Sequence, residues 1–571
     1  MDRRVLGGCF RKEKIVFTAA LLFCFVIHML LIKQGVNWYC VDIDGYLCHA
    51  ATFSGRDWSG VFSHAGRFYS WGYSVLLTIP MILTGNTTVV YYFAIVCNAI
   101  LCCGILIVCY MLAKQVAPDV NRYLLLLCST AVSLYSSYIF QGAVMLAEIY
   151  LYFFVLLGVF CLLQYIKTDR LVWGILSGFL VGYMYIIHNR AVGIVVAYVI
   201  VAVAFGIKSK SWKRTAIMLF PLLLMLLLNH GVVQYLNAHE KNGTSYTMNT
   251  YGAYTKKLSK NIHFYTFISI MQCVMGECWY ALIGTFGMSG VGVYSIIKRT
   301  YYSWKDREDI GIWYAFLIFM ILGTLAVSVL GTMPSAPMGE TGRYDLYIYG
   351  RYWEMVFGVL ILFGLLECCK GIDRCELINI ILGSLLLCVI VEYMTKAYQG
   401  NMNGHWWSIP AVLTTFFYPE REFLILNSSI VGLTLMIWIF YLISKAKKGK
   451  IVFAVGIWMF FNIFTGYNAI YNVTDIYRVY GGVLAMPYTC ADFNDVCKYL
   501  EDNKVDEFAV CADVYDYSVM FQVAFPDKKV IGITPETEWA ETEVYVLSKA
   551  TWEEERNGNV IYENAEYCVV R

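Results

Sequence analysis

Carboxylates and cationic side chains set against apolar runs carry the chemistry that this sequence offers. An ionisable group beside hydrocarbon is costly to keep, so it reads first as functional. Five groups stand out. Val41-Asp42-Ile43-Asp44-Gly45-Tyr46 follows the first apolar run. Paired carboxylates there suit a general base for a hydroxyl or amine, or part of a cation site; a loop that starts on a capping Asp fits the same pattern. Glu148 heads a span otherwise free of charge, where the helix dipole alone also favours an acid. His188-Asn189-Arg190 falls at another helix end. An arginine there can grip a phosphate bidentately or extend to lipid headgroups. Gly342-Arg343-Tyr344-Asp345 and Tyr349-Gly350-Arg351-Tyr352-Trp353-Glu354 set arginines among aromatics ahead of a late span, which suits an anionic ligand or an anchored aromatic belt. Asn403-Gly404-His405-Trp406-Trp407 offers rings that stack on a sugar or seat in the interface.

The elements that position these residues must be membrane helices. Of the 571 residues, 59% are hydrophobic and 15% charged, where a soluble chain carries about 25% charge. Apolar blocks such as Ile15–Ile32, Thr88–Leu112, Ala191–Ile207 and Ile312–Leu330 have the length of a bilayer core. The composition therefore predicts a mainly α, polytopic transmembrane bundle. A net charge of +2 gives no reason to expect nucleic acid. The 20 cysteines lie mostly within apolar blocks and show no zinc-ligand spacing. Cys490, Cys497, Cys511 and Cys568 fall in the tail, where pairing is open. The basic start from Arg3 to Lys14, followed by a long apolar run, reads as an uncleaved signal anchor with a cytoplasmic N-terminus.

The positive-inside rule then selects a threading of about thirteen spans. They are 15–33, 88–112, 122–140, 144–166, 171–187, 190–207, 214–233, 280–297, 311–331, 351–369, 375–393, 424–444 and 450–470. Every inner loop then carries at least two positive charges, from Lys114 and Arg122 through Lys208, Lys210 and Lys213 to Lys445 and Lys448. Two apolar segments, 68–84 and 264–279, must not cross alone, and are expected at the outer interface or as re-entrant pieces. All five chemical groups then fall at the outer face, with 34–70 as the first outer loop. Residues 1–485 form the membrane module. Residues 486–571 form a small extracytoplasmic α/β domain, with strand-like runs at Glu507–Cys511, Lys529–Ile533, Glu543–Leu547 and Asn559–Tyr562.

Together these residues resemble the GT-C class of membrane glycosyltransferases, in its protein mannosyltransferase and aminoarabinose transferase branch. Asp42, Tyr46 and Ala50 match that branch's first-loop pattern of an Asp four residues before a Tyr and eight before an Ala. Trp71-Gly72-Tyr73-Ser74 through Pro80 is similar to the apolar stretch that follows. Glu148, Arg190 and Arg351-Tyr352 match an acid, an Arg and an Arg-Tyr that open later spans. Ile43 stands where the family has an acidic neighbour, and Asp44 is a second acid inside the pattern.

The resemblance implies transfer of a sugar from a polyprenyl-phosphate donor to a glycan, lipid or protein acceptor, in an integral plasma membrane of bacterial type. It implies Asp42 as base with Asp44 second, Glu148 as orienting acid, and Arg190, Arg343 and Arg351 toward the lipid phosphate. Tyr46, His188, Tyr352, His405 and Trp406 complete the expected substrate contacts. A divalent cation is left open. A transporter or lipid flippase, or a non-catalytic scaffold of envelope polysaccharide assembly, are the rival expectations. No repeat of the kind transporters carry is seen in the sequence.

Overall fold

The computed structural model describes residues 3–35, 41–61, 70–238, 264–332, 344–396, 409–412, 424–445, 448–479, 491–511, 516–533, 542–555 and 558–571. The chain enters through α1 (Arg3–Gly35), then two helices that precede the next long one, α2 (Val41–Phe53) and α3 (Ser74–Thr84). A run of close-packed helices follows: α4 (Thr87–Val116), α5 (Arg122–Ser133), α6 (Ser136–Gly142), α7 (Glu148–Thr168), α8 (Leu171–Ile187), α9 (Val192–Ser209) and α10 (Trp212–Ala238). The second half holds α11 (Phe264–Gly284), α12 (Met288–Lys305), α13 (Ile310–Thr332), α14 (Phe357–Lys370), α15 (Arg374–Thr395), α16 (Leu424–Ser444) and α17 (Lys448–Val479). Among the described residues, ten helices are long and apolar enough to cross a membrane, or twelve if each of two bent pairs counts as one span. Leucines and isoleucines on the outer faces of α1, α10 and α15 stay exposed, as in Leu30, Leu227 and Leu386. That is the pattern of helices whose outer faces meet lipid tails.

One end of the bundle gathers the basic loops. Arg122 pairs with Glu13 at 3.0 Å, Lys370 with Asp119 at 2.9 Å, and Lys298 with Glu367 at 2.9 Å. Arg299 Nη1 donates to the Val116 carbonyl at 2.9 Å. Each such tie is weak where it is exposed, but they place the ends of α1, α4, α12 and α14 at one level. The heads of α4 and α7 lie at the other end.

The structure corrects two expectations. Segment 264–279 is not a peripheral piece: it belongs to α11, a continuous helix of 21 residues whose stretch Phe267–Gly284 is long and apolar enough to cross. The expected span 280–297 does not exist as one helix, because the chain breaks at Thr285-Phe286-Gly287. Phe286 and Gly287 both take left-handed backbone, at φ 48° and 82°, a conformation only glycine adopts without cost. Segment 68–84 holds α3, only 11 residues long, or about 16 Å at the α-helical rise, too short to span.

A second break divides α5 from α6, which meet at 53°. Broken helices leave backbone groups that lipid cannot satisfy, and α17 answers both. Asn462 Oδ1 accepts the Ser136 N–H at 3.2 Å, and Trp458 Nε1 donates to the Thr285 carbonyl at 2.9 Å. His28 on α1 completes the α5–α6 break through a 3.1 Å contact with the Ser133 carbonyl. Close backbone approach sets the second half: a side chain at Gly292 on α12 would meet the Leu360 carbonyl of α14, and Gly364 faces Gly292 in return. Small residues at such crossings let membrane helices gain van der Waals contact.

The tail folds as a five-stranded sheet: β1 (Glu507–Cys511), β2 (Lys529–Ile533), β3 (Tyr545–Ser548), β4 (Val560–Glu563) and β5 (Tyr567–Val570), in the order β2-β1-β3-β5-β4. β1 pairs in parallel with β2 and β3, while β5 is antiparallel to β3 and β4. The helices α18 (Ala491–Asp502), α19 (Asp516–Ala524) and α20 (Lys549–Glu555) accompany it. The sequence reading missed β5, which is buried at all four residues and so lacks the alternation that marks a half-exposed strand. Cys497 and Cys568 are free thiols and Cys511 is buried in β1; Cys490 lies outside the described residues. The tail docks on the loop after α2. Trp58 Nε1 donates to the Pro526 carbonyl at 2.9 Å, Arg56 pairs with Asp527 at 2.9 Å, and Thr87 Oγ1 donates to the Val523 carbonyl at 2.8 Å.

Gly292→Leu is expected to force α12 away from α14 and destabilise the bundle by about 3 kcal/mol. Size-exclusion chromatography of the detergent-solubilised variant checks this; a monodisperse peak with wild-type melting would contradict it.

Candidate functional site

Three separated segments converge at the end of the bundle away from the basic loops. Glu148 is the first residue of α7, where the unpaired N–H groups of the first turn favour a carboxylate. Arg190 sits in a short 3-10 turn, Asn189–Ala191, that joins α8 to α9. Arg351 sits in another, Gly350–Tyr352, ahead of α14. Glu148 Oε1 accepts from Arg351 Nε at 2.7 Å and from Arg190 Nη2 at 3.1 Å. The three side chains are only 0%, 3% and 3% exposed, in that order. The Arg190 guanidinium lies over the Tyr352 ring, 5.3 Å from its centroid, and the His188 ring stands 6.4 Å from the same ring. Residues far apart in sequence, singled out for their cost near hydrocarbon, thus form one contact.

Among the described contacts, one carboxylate oxygen of Glu148 accepts from both guanidiniums. Arg190 Nε and Nη1 and Glu148 Oε2 are buried with no hydrogen-bond partner. Buried N–H donors without a partner are rare in native proteins and each needs a reason. A bound anion supplies one, since the planar guanidinium fork matches phosphate or carboxylate oxygens.

The first outer segment reaches the same end. Tyr46 on α2 meets Tyr73 edge-on at 5.1 Å, and Tyr73 lies 5.7 Å from Tyr150, two residues beyond Glu148 on α7. Gly72 N–H donates to the Ile186 carbonyl at 3.0 Å, Tyr183 Oη donates to the Gly72 carbonyl at 3.1 Å, and Ser70 Oγ donates to Asn189 Oδ1 at 3.0 Å. The Trp71-Gly72-Tyr73 stretch is thereby fastened to the turn that holds Arg190. Position 42 lies one helical turn before Tyr46 on α2; the side chains of Asp42 and Asp44 lie outside the described residues, as do Arg343, His405 and Trp406. Among the described residues no three His, Cys, Asp or Glu side chains converge as a metal site would require.

No family model and no curated protein sequence matches the chain. Among solved structures, ArnT from Cupriavidus metallidurans bound to undecaprenyl phosphate is similar over 97% of each chain, with a TM-score of 0.55 at 11% identity. The same protein in its apo state matches over 98% of each chain, with a TM-score of 0.53 at 10% identity. The chain has the GT-C fold. A looser likeness, with a TM-score of 0.41 at 10% identity, is found to the oligosaccharyltransferase of Archaeoglobus fulgidus, over 91% of this chain and 64% of that one.

Within this GT-C fold the structure adds a residue that sequence reading quoted only as the end of an aromatic run. Glu354 is fully buried. Ser137 Oγ of α6 and Tyr280 Oη of α11 donate to it in short contacts, and Tyr152 Oη of α7 donates at 3.2 Å. The one available signal was an acid three residues after a functional arginine. Glu277 is a further buried acid, accepting from Ser328 Oγ at 2.7 Å. His188, at the junction between α8 and α9, has its imidazole held well below its usual pKa, first by burial and then by the Arg190 charge. Its Nδ1 accepts the Arg190 backbone N–H at 3.3 Å.

Two outcomes are expected. Glu148→Gln leaves two buried arginines without their counter-charge and should cost about 3–5 kcal/mol, read as a clear fall in melting temperature in detergent. For His188 the unfolded state binds a proton more readily than the folded one. Stability should therefore decline as pH falls below the unfolded value of about 6.5. His188→Gln should flatten that decline in melting curves taken across pH 5 to 8; an unchanged profile would contradict the assignment.

Proposed function

We propose that the chain is an integral-membrane glycosyltransferase that moves a sugar from a polyprenyl-phosphate carrier to an acceptor at the extracytoplasmic face. The observation that carries this is the buried Glu148–Arg190–Arg351 centre, with unpartnered Arg190 donors, at the end of the bundle opposite the basic loops. A lipid phosphate is the leaving group that such a centre suits. Negative charge develops on the phosphate oxygens as the anomeric C–O bond breaks, and preorganised cations in a low-dielectric site stabilise it. Glu148 holds the two guanidiniums in register, and Tyr352 backs Arg190. The likeness in fold to ArnT, a protein solved with undecaprenyl phosphate bound, supports the same class of carrier.

The acceptor hydroxyl or amine needs a base as it attacks the anomeric carbon. Asp42 takes that role in this reading, with Asp44 second, because α2 reaches the arginine centre through Tyr46, Tyr73 and Tyr150. Attack opposite the departing phosphate inverts the anomeric configuration, and the acceptor proton passes to the carboxylate. Residues 1–485 then form the membrane module, and 486–571 an extracytoplasmic domain over the acceptor side. The N-terminus is cytoplasmic, in a plasma membrane of bacterial type. Arg343, His405 and Trp406 are assigned to phosphate and sugar contacts.

The test is release of free polyprenyl phosphate. Purified protein is mixed with a lipid extract containing polyprenyl-phosphate sugars and candidate acceptors, and the products are followed by mass spectrometry. Wild type should release the carrier, and Asp42→Asn should not while remaining folded; turnover by Asp42→Asn near that of wild type removes Asp42 as base. Running the reaction with a chelator decides the divalent cation: loss of transfer that magnesium or manganese restores assigns one. Arg190→Ala should weaken binding of undecaprenyl phosphate by about tenfold or more, the worth of one hydrogen bond to a charged group, and unchanged affinity would place the phosphate elsewhere.

A further inference from the structure

Glu354 belongs to a geometry that repeats the arginine contact one step deeper in the bundle. Glu148 and Tyr152 are four residues apart on α7, so they share one face, a turn apart. Arg351 and Glu354 are three residues apart on successive 3-10 turns, Gly350–Tyr352 and Glu354–Val356, and a 3-10 spacing of three aligns side chains in a row. Two parallel rows therefore face each other. The first rung joins Arg351 Nε to Glu148 Oε1 at 2.7 Å, and the second joins Tyr152 Oη to Glu354 Oε2 at 3.2 Å. In the second rung the donor and the acid have changed sides.

The second rung is the better anchored. Glu354 also accepts from Ser137 on α6 and Tyr280 on α11, and Tyr280 Oη accepts the Ala411 N–H at 3.2 Å. One carboxylate thus ties the 3-10 segment to three helices, two of which adjoin the helix breaks. Trp353 Nε1, next in the chain to Glu354, donates to the Ile321 carbonyl of α13 at 3.2 Å. The segment that carries Arg351 has no α-helical hydrogen-bond ladder of its own to hold it, and these ties replace one.

From this ladder we infer that Glu354 is a positioning residue, which fixes Arg351 against Glu148 and so sets the phosphate-binding geometry without touching substrate. The inference rests on the phosphate reading of Arg351. Its signature is coupling. A residue that acts only through Arg351 has no effect on phosphate binding once Arg351 is gone, whereas an independent residue adds its own loss.

The experiment measures binding of undecaprenyl phosphate to wild type, Arg351→Ala, Glu354→Gln and the double variant in detergent. Tyr152→Phe, which deletes only the rung's hydroxyl, is run in both backgrounds so that the answer survives if Glu354→Gln fails to fold. Glu354→Gln should weaken binding about tenfold and Tyr152→Phe by a smaller factor. Neither should weaken it further beside Arg351→Ala. In turnover, both should raise KM for the lipid donor and leave KM for the acceptor unchanged. Losses that multiply with that of Arg351→Ala, or an equal rise in both KM values, overturn the positioning role while leaving the phosphate reading intact. A wild-type protein that binds no undecaprenyl phosphate overturns the phosphate reading itself, and the inference with it.

Discussion

A single buried carboxylate shared by two arginines is the contact to which the rest of this architecture answers. Charge taken out of water must be paired and hydrogen-bonded or it is not tolerated. Glu148 can meet both Arg190 and Arg351 only if the head of α7, the α8–α9 junction and the segment before α14 come to one level. None of the three belongs to the middle of a regular helix. Two are 3-10 turns and the third is a helix N-terminus, so each side chain leaves the backbone where its direction is set by a local turn rather than by a long helical face. The fastening of Ser70 and Gly72 to Asn189 and Ile186 brings the first outer segment to the same place.

The second organising demand is that lipid gives no hydrogen bonds. The breaks at 134–136 and 285–287 expose backbone groups inside the bundle, yet both find partners on neighbouring helices. This permits irregular backbone deep in the protein, and the helices that adjoin the breaks carry Ser137 and Tyr280 to Glu354. The polar cage around Glu354 draws on helices that adjoin the breaks, and the arginine centre on the 3-10 turns at 189–191 and 350–352. Close glycine contacts between α12 and α14 hold the second half together where apolar burial alone gives no preference for protein over lipid.

Much of this was legible in the sequence, for physical reasons that differ from residue to residue. Glu148, Arg190 and Arg351 stood out because charge beside apolar runs is expensive; that they touch one another was not legible, since pairing depends on helix order in space. The strands β1 and β2 were read at their observed bounds because each is a short, mostly apolar run between polar residues, whereas β5 is buried throughout and gives no alternating signal. The expected span 280–297 failed because its apolar composition is continuous across a break, and a left-handed Phe286 leaves no mark in hydropathy. Glu354 was passed over because the aromatics around it look the same in an interfacial belt as in a buried cage.

The two residues of α17 that close the helix breaks, Trp458 and Asn462, lie one turn apart on one face of a helix made after both of the helices it repairs. The consequence is one of timing during synthesis. While α5, α6, α11 and α12 are already in the bilayer, the Ser136 N–H must wait for α17 to emerge from the translocation machinery, and the Thr285 carbonyl, which accepts the Met288 N–H at 3.2 Å, gains its second donor only then. Until then the Ser136 N–H depends on a substitute partner such as water. Maturation of the whole bundle is thereby made conditional on the arrival of a late helix, which becomes the natural checkpoint at which quality control can tell a finished molecule from a partial one.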